Sequence, residues 1–118
     1  MILKDRFYSI LAGEGLHFTI KTNADHAVYK GHFPERPITP GACLLQITQE
    51  LLSYAKGKPM QLQGVKNLKF VAIHTPDKVV NVDFKDLGNE KYQVTIYDPT
   101  TVYVKMSGQY MCVNPDLQ

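Results

Sequence analysis

Between Pro40 and Gly57 the chain carries one long segment of helical periodicity, and the stretches on either side of it alternate like strands. From Gly41 onward Ala42, Leu44, Leu45, Ile47, Leu51, Leu52 and Ala55 recur at helical spacing and cover more than a narrow stripe. An apolar surface that broad has to be enclosed by other structure. Pro40 suits the start of this helix, where a backbone N–H has no partner to lose, and Gly57 suits its end. Residues 6–12 (RFYSILA) read as a strand, 13–15 as a turn and 16–22 (LHFTIKT) as the hairpin partner. Residues 23–28 form a polar loop. Beyond the helix, 61–72 is extended and broken at Gly64, 78–84 alternates through Val80, Val82 and Phe84, and Tyr92, Val94 and Ile96 alternate next. Asp98 and Pro99 mark a turn before 101–111, which keeps Val102, Val104 and Met106 on one side. The expected order is β-β-α-β-β-β-β. It is an α+β arrangement in which a curled antiparallel meander and one long helix bury each other's apolar faces.

At 118 residues this is one domain, 1–118, by size, and its 44% hydrophobic share supplies one sizeable core. The formal charge of +2 comes from scattered basic residues, which argues against a nucleic-acid partner. Cys43 and Cys112 have neither zinc-site nor redox spacing, so two buried free thiols are expected, with Cys43 packing in the core. The opening MILKDRFYSILAGEG breaks its apolar pieces with charges and does not read as a secretion signal. No run approaches the roughly 20 apolar residues of a membrane span, so no membrane partner is expected and the cytoplasm is the expected location. Among the histidines, His17 falls in a strand pattern and His26 and His74 in polar loops, without metal-ligand spacing. Neither a metal nor a cofactor is expected.

The fourth histidine stands apart. Residues 31–50 read GHFPERPITPGACLLQITQE, so His32 is followed by Pro34, Pro37 and Pro40 and then by the helix. Those prolines restrict the loop after the imidazole, which helps wherever a side chain must be held in place. The same order brings His32 near a helix N-terminus, whose unpaired backbone N–H groups polarise a carbonyl or hold an anion.

His32-Phe33-Pro34 followed by Pro37-Ile38-Thr39-Pro40-Gly41 resembles the HFP-x-x-P-[VI]-x-P-G signature of 3-hydroxyacyl-[acyl-carrier-protein] dehydratases. Gly64 to Phe70 (GVKNLKF), then Pro76 and Asp77, look like that family's strand and turn after the helix. The resemblance implies a hotdog fold, in which a curved sheet wraps one long helix. It implies loss of water from a 3-hydroxyacyl thioester, carried by acyl carrier protein or coenzyme A, to give the trans-2-enoyl product. Carried onto this chain, His32 is the base for the α-proton and the Gly41 N–H polarises the thioester carbonyl. Phe33, Pro40 and Ala42 are then expected to line the substrate; Tyr29, from its position just before the motif, is expected to pack at the site mouth. The resemblance further implies a homodimer or higher homo-oligomer, with a heterodimer of homologues as the variant.

One position departs from that pattern. The family's Asp or Glu falls five residues after the Pro-Gly glycine, at Gln46, and the family's usual Gln falls four residues later, at Glu50. An amide cannot deliver a proton as a general acid, although it can hydrogen-bond a hydroxyl. Three readings stay open. Glu50, one helical turn on, supplies the acid directly or through water. Alternatively His32 works alone while Gln46 orients the hydroxyl. In the third, the chain is an acyl-binding or partner subunit without the chemistry. Gln46, Gln49, Glu50 and Ser53 also make a polar stripe that a solvated face explains equally well. A thioesterase is a further reading, because the fold hosts that reaction too. Acyl chain length is not legible in any motif.

Overall fold

In the computed structural model the described residues are 2–31 and 35–113. They form β1 (Tyr8–Glu14), β2 (His17–Thr22), α1 (Ala27–Gly31), α2 (Gly41–Lys56), β3 (Met60–Phe70), β4 (Val80–Gly88), β5 (Lys91–Tyr97) and β6 (Val102–Cys112). The six strands make one sheet in the order β1-β2-β4-β5-β6-β3, with every neighbouring pair antiparallel. The expected meander therefore holds only for β4, β5 and β6. A helix of 16 residues is about 24 Å long and carries the chain across the sheet. The strand after it consequently joins the far edge, beside β6, and β2 pairs with β4 instead.

Local chemistry moves two other boundaries. β1 runs on through Gly13, which pairs with Phe18; a Cβ there would lie 3.0 Å from the Phe18 ring, so glycine allows the close packing. The reversal falls one step later, at Gly15, whose φ of +59 is the left-handed conformation glycine adopts without strain. Inside the expected 23–28 loop the chain instead begins α1, started by the Val28 N–H on His26 Nδ1 at 3.0 Å. The far end of α2 matches expectation. Gly57 is left-handed and its N–H reaches the Ser53 and Tyr54 carbonyls at 3.0 and 3.4 Å.

The core lies between α2 and one face of the sheet. α2 buries Cys43, Leu44, Ile47, Thr48, Leu51 and Leu52. The expected alternation supplies Val80, Val82 and Phe84 from β4, Tyr92, Val94 and Ile96 from β5, and Val104 and Met106 from β6; Val102 is only half-buried, and Tyr103 and Tyr110 join the core as well. Each fully buried aliphatic of this kind contributes about 1.5–3 kcal/mol. Thr48, the one polar residue α2 sends inward, bonds the Leu45 carbonyl at 2.7 Å and the Tyr110 hydroxyl at 2.8 Å. Both cysteines are free thiols, but only Cys43 is buried; Cys112 ends β6 beyond the core and is exposed. Among the described residues, no helix is long and apolar enough to cross a membrane.

Candidate active site

α2 begins without a side-chain cap. Pro40, extended at φ −61 and ψ 141, accepts the Cys43 and Leu44 N–H groups on its carbonyl at 3.0 and 3.2 Å. The amides of Gly41 and Ala42 precede those first intrahelical donors, and no described residue accepts from them. Ala42 is exposed, and Pro40 and Gly41 are half-buried. Phe70, at the end of β3, lays its half-exposed ring over this helix start. A Cβ on residue 41 would come within 2.7 Å of Phe70 Cζ, so glycine lets the ring close down there. Two open N–H groups give the α2 N-terminus donors and a partial positive charge for a developing oxyanion, with the Phe70 ring to one side.

One turn into α2 stands Gln46, whose Nε2 donates to Glu50 Oε2 at 2.8 Å. The Glu50 carboxylate is heavily engaged. It accepts the Leu3 N–H at 3.0 and 2.8 Å, the Lys4 N–H at 2.8 Å and the Tyr8 hydroxyl at 3.2 Å. Burial, and then the Glu50 charge beside it, push the Tyr8 phenol well above its ordinary pKa, so that proton stays on tyrosine. Glu50 thus ties the N-terminal segment to the helix, and Leu3 and Phe7 pack into the core from that segment. The stripe is not simply solvated. Gln49 Oε1 accepts the Leu62 N–H at 2.9 Å, and Ser53 Oγ accepts the Met60 N–H at 2.9 Å. Glu50 moors the N-terminal segment on one side, and Gln49 and Ser53 moor β3 on the other.

His32 and Phe33 lie outside the described residues. Tyr29 is buried rather than at a mouth, with its hydroxyl 2.6 Å from Thr39 Oγ1. His17 is cross-strand to Asp83 and pairs with it, and the other oxygen of Asp83 accepts the Tyr97 hydroxyl at 2.7 Å. His74, expected in a polar loop, is only 1% exposed. Among the described residues, no group of three His, Cys, Asp or Glu is arranged to hold a metal. A concavity of about 520 Å³ lined by Glu14, His17, Asp83 and Lys85 lies on the sheet, away from the α2 N-terminus. Sequence reasoning missed two neighbours of the site, Tyr8 and Phe70. Nothing in a strand pattern reveals that a tyrosine or phenylalanine will meet a helix some forty or thirty residues away.

Comparison with known proteins adds three findings. Residues 11–108 match a family model described as ApeI-like: ApeI dehydratase. The 3-hydroxyacyl-[acyl-carrier-protein] dehydratase FabZ of Latilactobacillus sakei is 29% identical over 89 residues, covering 70% of this chain and 64% of its own length. The match thus spans a little under two thirds of that relative. Among solved structures, the dehydratase heterocomplex ApeI:P from Xenorhabdus doucetiae superposes with a TM-score of 0.67 at 15% identity, covering 90% of this chain and 94% of its own. A hypothetical thioesterase with coenzyme A from Streptococcus pneumoniae gives 0.61 at 14% identity, covering 91% and 86%. At such identities these structural likenesses speak for the fold alone, and that fold is the hotdog.

Proposed function

The chain belongs to the ApeI-like dehydratase family, and on that premise we propose that it removes water from a 3-hydroxyacyl thioester to give the trans-2-enoyl thioester. The observation that carries this reading is the α2 N-terminus, with the Gly41 and Ala42 amides unpartnered among the described residues beneath Phe70. In the proposed reaction the thioester carbonyl oxygen accepts from the Gly41 N–H, which stabilises the enolate-like charge as His32 takes a proton from C2. Gln46 hydrogen-bonds the C3 hydroxyl. The C3–O bond breaks as the C2–C3 double bond forms, and the proton taken by His32 returns to the departing hydroxyl, which leaves as water. Phe33, Pro40 and Ala42 contact the substrate in this reading.

Glu50 takes a different part from the acid that the resemblance allows. A carboxylate accepting from two backbone N–H groups, a phenol and an amide is arranged as an anchor, and we assign it that role toward Gln46 and the N-terminal segment. The thioester carrier is acyl carrier protein or coenzyme A, and a second chain of the same fold seats along the free edge of β3. Enoyl formation from a 3-hydroxyacyl carrier-protein thioester tests the reading. Wild-type protein is expected to turn over and His32→Ala to lose at least about a hundredfold; activity that survives in His32→Ala sinks it.

A second reading has one specific observation in its favour. The structural relative from Xenorhabdus doucetiae is a dehydratase heterocomplex, and in the proposed reading Gln46 takes the place of the family's acid. A chain that binds acyl carriers and borrows its acid from a homologous subunit would bind without turnover alone and gain activity on mixing. Robust turnover by the purified chain decides against that reading.

A further inference from the structure

His74 grips the segment just ahead of α2 through two separate bonds. Its backbone carbonyl accepts the Thr39 N–H at 2.9 Å, and its Nδ1 lies 2.7 Å from Thr39 Oγ1. Its Nε2 meets the Lys78 carbonyl at 2.8 Å. A carbonyl only accepts, so Nε2 carries the ring proton. Burial holds the imidazole neutral by lowering its pKa, and Nδ1 is left to accept from the Thr39 hydroxyl. The Lys78 carbonyl is brought to the ring by a turn, closed by the Lys78 N–H on the Thr75 carbonyl at 3.1 Å. On the opposite side Thr39 Oγ1 lies 2.6 Å from the Tyr29 hydroxyl, itself 2.9 Å from Thr22 Oγ1. Thr22, Tyr29, Thr39 and His74 are all buried, and the Tyr103 ring stands edge-on to the imidazole at 5.2 Å. Water cannot readily replace a lost member of such a relay, so each member holds the others in one arrangement.

The relay ends two residues before Gly41. Between them Pro40 has a ring-fixed φ of −61, so the orientation of Thr39 is transmitted to the first peptide of α2. We infer that His74 is a positioning residue for dehydration: by holding Thr39 through backbone and ring, it sets the direction in which the Gly41 N–H meets the thioester carbonyl. The inference rests on the dehydratase reading above and adds a residue to which that reading gives no part. An oxyanion donor has to be aimed, and a displacement of about 1 Å is enough to cost on the order of a hundredfold in rate.

Thr39→Val keeps the shape of the side chain and removes the hydroxyl; Thr39→Ser keeps the hydroxyl; Tyr29→Phe removes the next member of the relay. Amide hydrogen exchange is read at Thr39, Cys43 and Leu44, whose N–H groups bond the His74 and Pro40 carbonyls. In Thr39→Val these three amides are expected to exchange at least about tenfold faster, with the strand amides unchanged. The same variant is expected to lose about 10- to 100-fold in kcat with KM within about threefold, Thr39→Ser to recover most of it, and Tyr29→Phe to fall between. Faster exchange spread over the whole sheet, or kcat that only tracks the folded fraction, overturns the inference, because His74 would then be a general stabiliser. Local loosening with kcat unchanged overturns it as well. If the wild type makes no enoyl product at all, the dehydratase reading fails separately. Exchange at the three amides then decides alone whether His74 holds the helix start.

Discussion

Gln46 and Glu50 put one amide and one carboxyl on a single face of α2, bonded at 2.8 Å, and the sequence resemblance implies the reverse order for a dehydratase. The order matters because the two positions meet different surroundings. Position 50 faces the backbone N–H groups of Leu3 and Lys4, which want an acceptor, whereas position 46 stands one turn nearer the Gly41 amide. In Gln46→Glu a carboxyl group, which can deliver a proton, would replace the amide one turn from the Gly41 N–H. Glu50 would keep three donor groups, the Leu3 and Lys4 N–H groups and the Tyr8 hydroxyl, and so its anchoring place. Gln46→Glu is therefore expected to raise kcat for enoyl formation, and adding Glu50→Gln to raise it further, by up to the roughly 10²- to 10⁴-fold typical of a positioned acid. The double variant is also expected to lose about 1–3 kcal/mol of stability in urea unfolding, since an amide oxygen serves the N-terminal segment less well than a carboxylate. No gain in kcat would mean that proton delivery to the hydroxyl does not limit the reaction. That an amide precedes the carboxyl by one turn is legible in the sequence. The anchoring role of Glu50 is not, because the N–H groups it holds lie 46 and 47 residues away and belong to the backbone, which every residue but proline carries.

β3 is the element on which the two halves of the site converge, since it moors α2 through Gln49 and Ser53 and ends in Phe70 over Gly41. Helix and strands were readable while topology was not. Period-two and helical patterns report which face of an element is buried, and the buried residues of β4, β5, β6 and α2 follow them closely. They say nothing of which strand lies next to which, so the crossing of β3 to the sheet edge had no signal. At that edge β3 leaves Leu68 and Phe70 exposed, and the chain continues with Val71 and Ile73 exposed as well. An open strand edge flanked by aliphatics is a template for pairing, and charged residues or proline are the usual protection. Lys66 and Lys69 are the charged residues that interrupt the run, with Asn67 at a register shift between them. A second hotdog chain laid along this edge would cover those side chains and bring another subunit up to Phe70. Light scattering is expected to give at least twice the 13.3 kDa of one chain. Val71→Asp is expected to shift the population toward monomer and to reduce turnover with it. A wild type that stays monomeric at micromolar concentration removes this edge as the assembly surface.

Taken as a whole the molecule stores its protonation preferences in burial more than in ion pairs, and its stability should follow pH accordingly. His74 has its pKa lowered below the ordinary 6.5, chiefly by burial. The unfolded chain then binds a proton that the folded one refuses, so stability falls as pH drops through that value toward the lower folded pKa. Asp98 adds a second acid limb. Hydrogen bonds from Tyr103 and Thr100 hold its carboxyl down at about 2, below the ordinary 3.8, so its contribution is present above that value and lost as pH approaches 2. The alkaline side works in reverse. Burial raises the phenols of Tyr8, Tyr29 and Tyr110 above the ordinary 10, so the unfolded chain loses protons first and stability falls as pH rises past that point. The expected profile is a plateau between about pH 6.5 and 10, with shoulders on both sides. Thermal unfolding measured across pH 4–11 checks it. His74→Gln is expected to flatten the descent between pH 6.5 and 5 at some cost to the plateau, while Tyr110→Phe is expected to lessen the alkaline descent. A wild type whose melting temperature stays level from pH 7 to 5 would show that the His74 ring is not held neutral. The direction of the Thr39 hydrogen bond would then have to be reversed. These limbs arise from depth of burial, which depends on how sheet and helix close together, and so they belong to the assembled molecule.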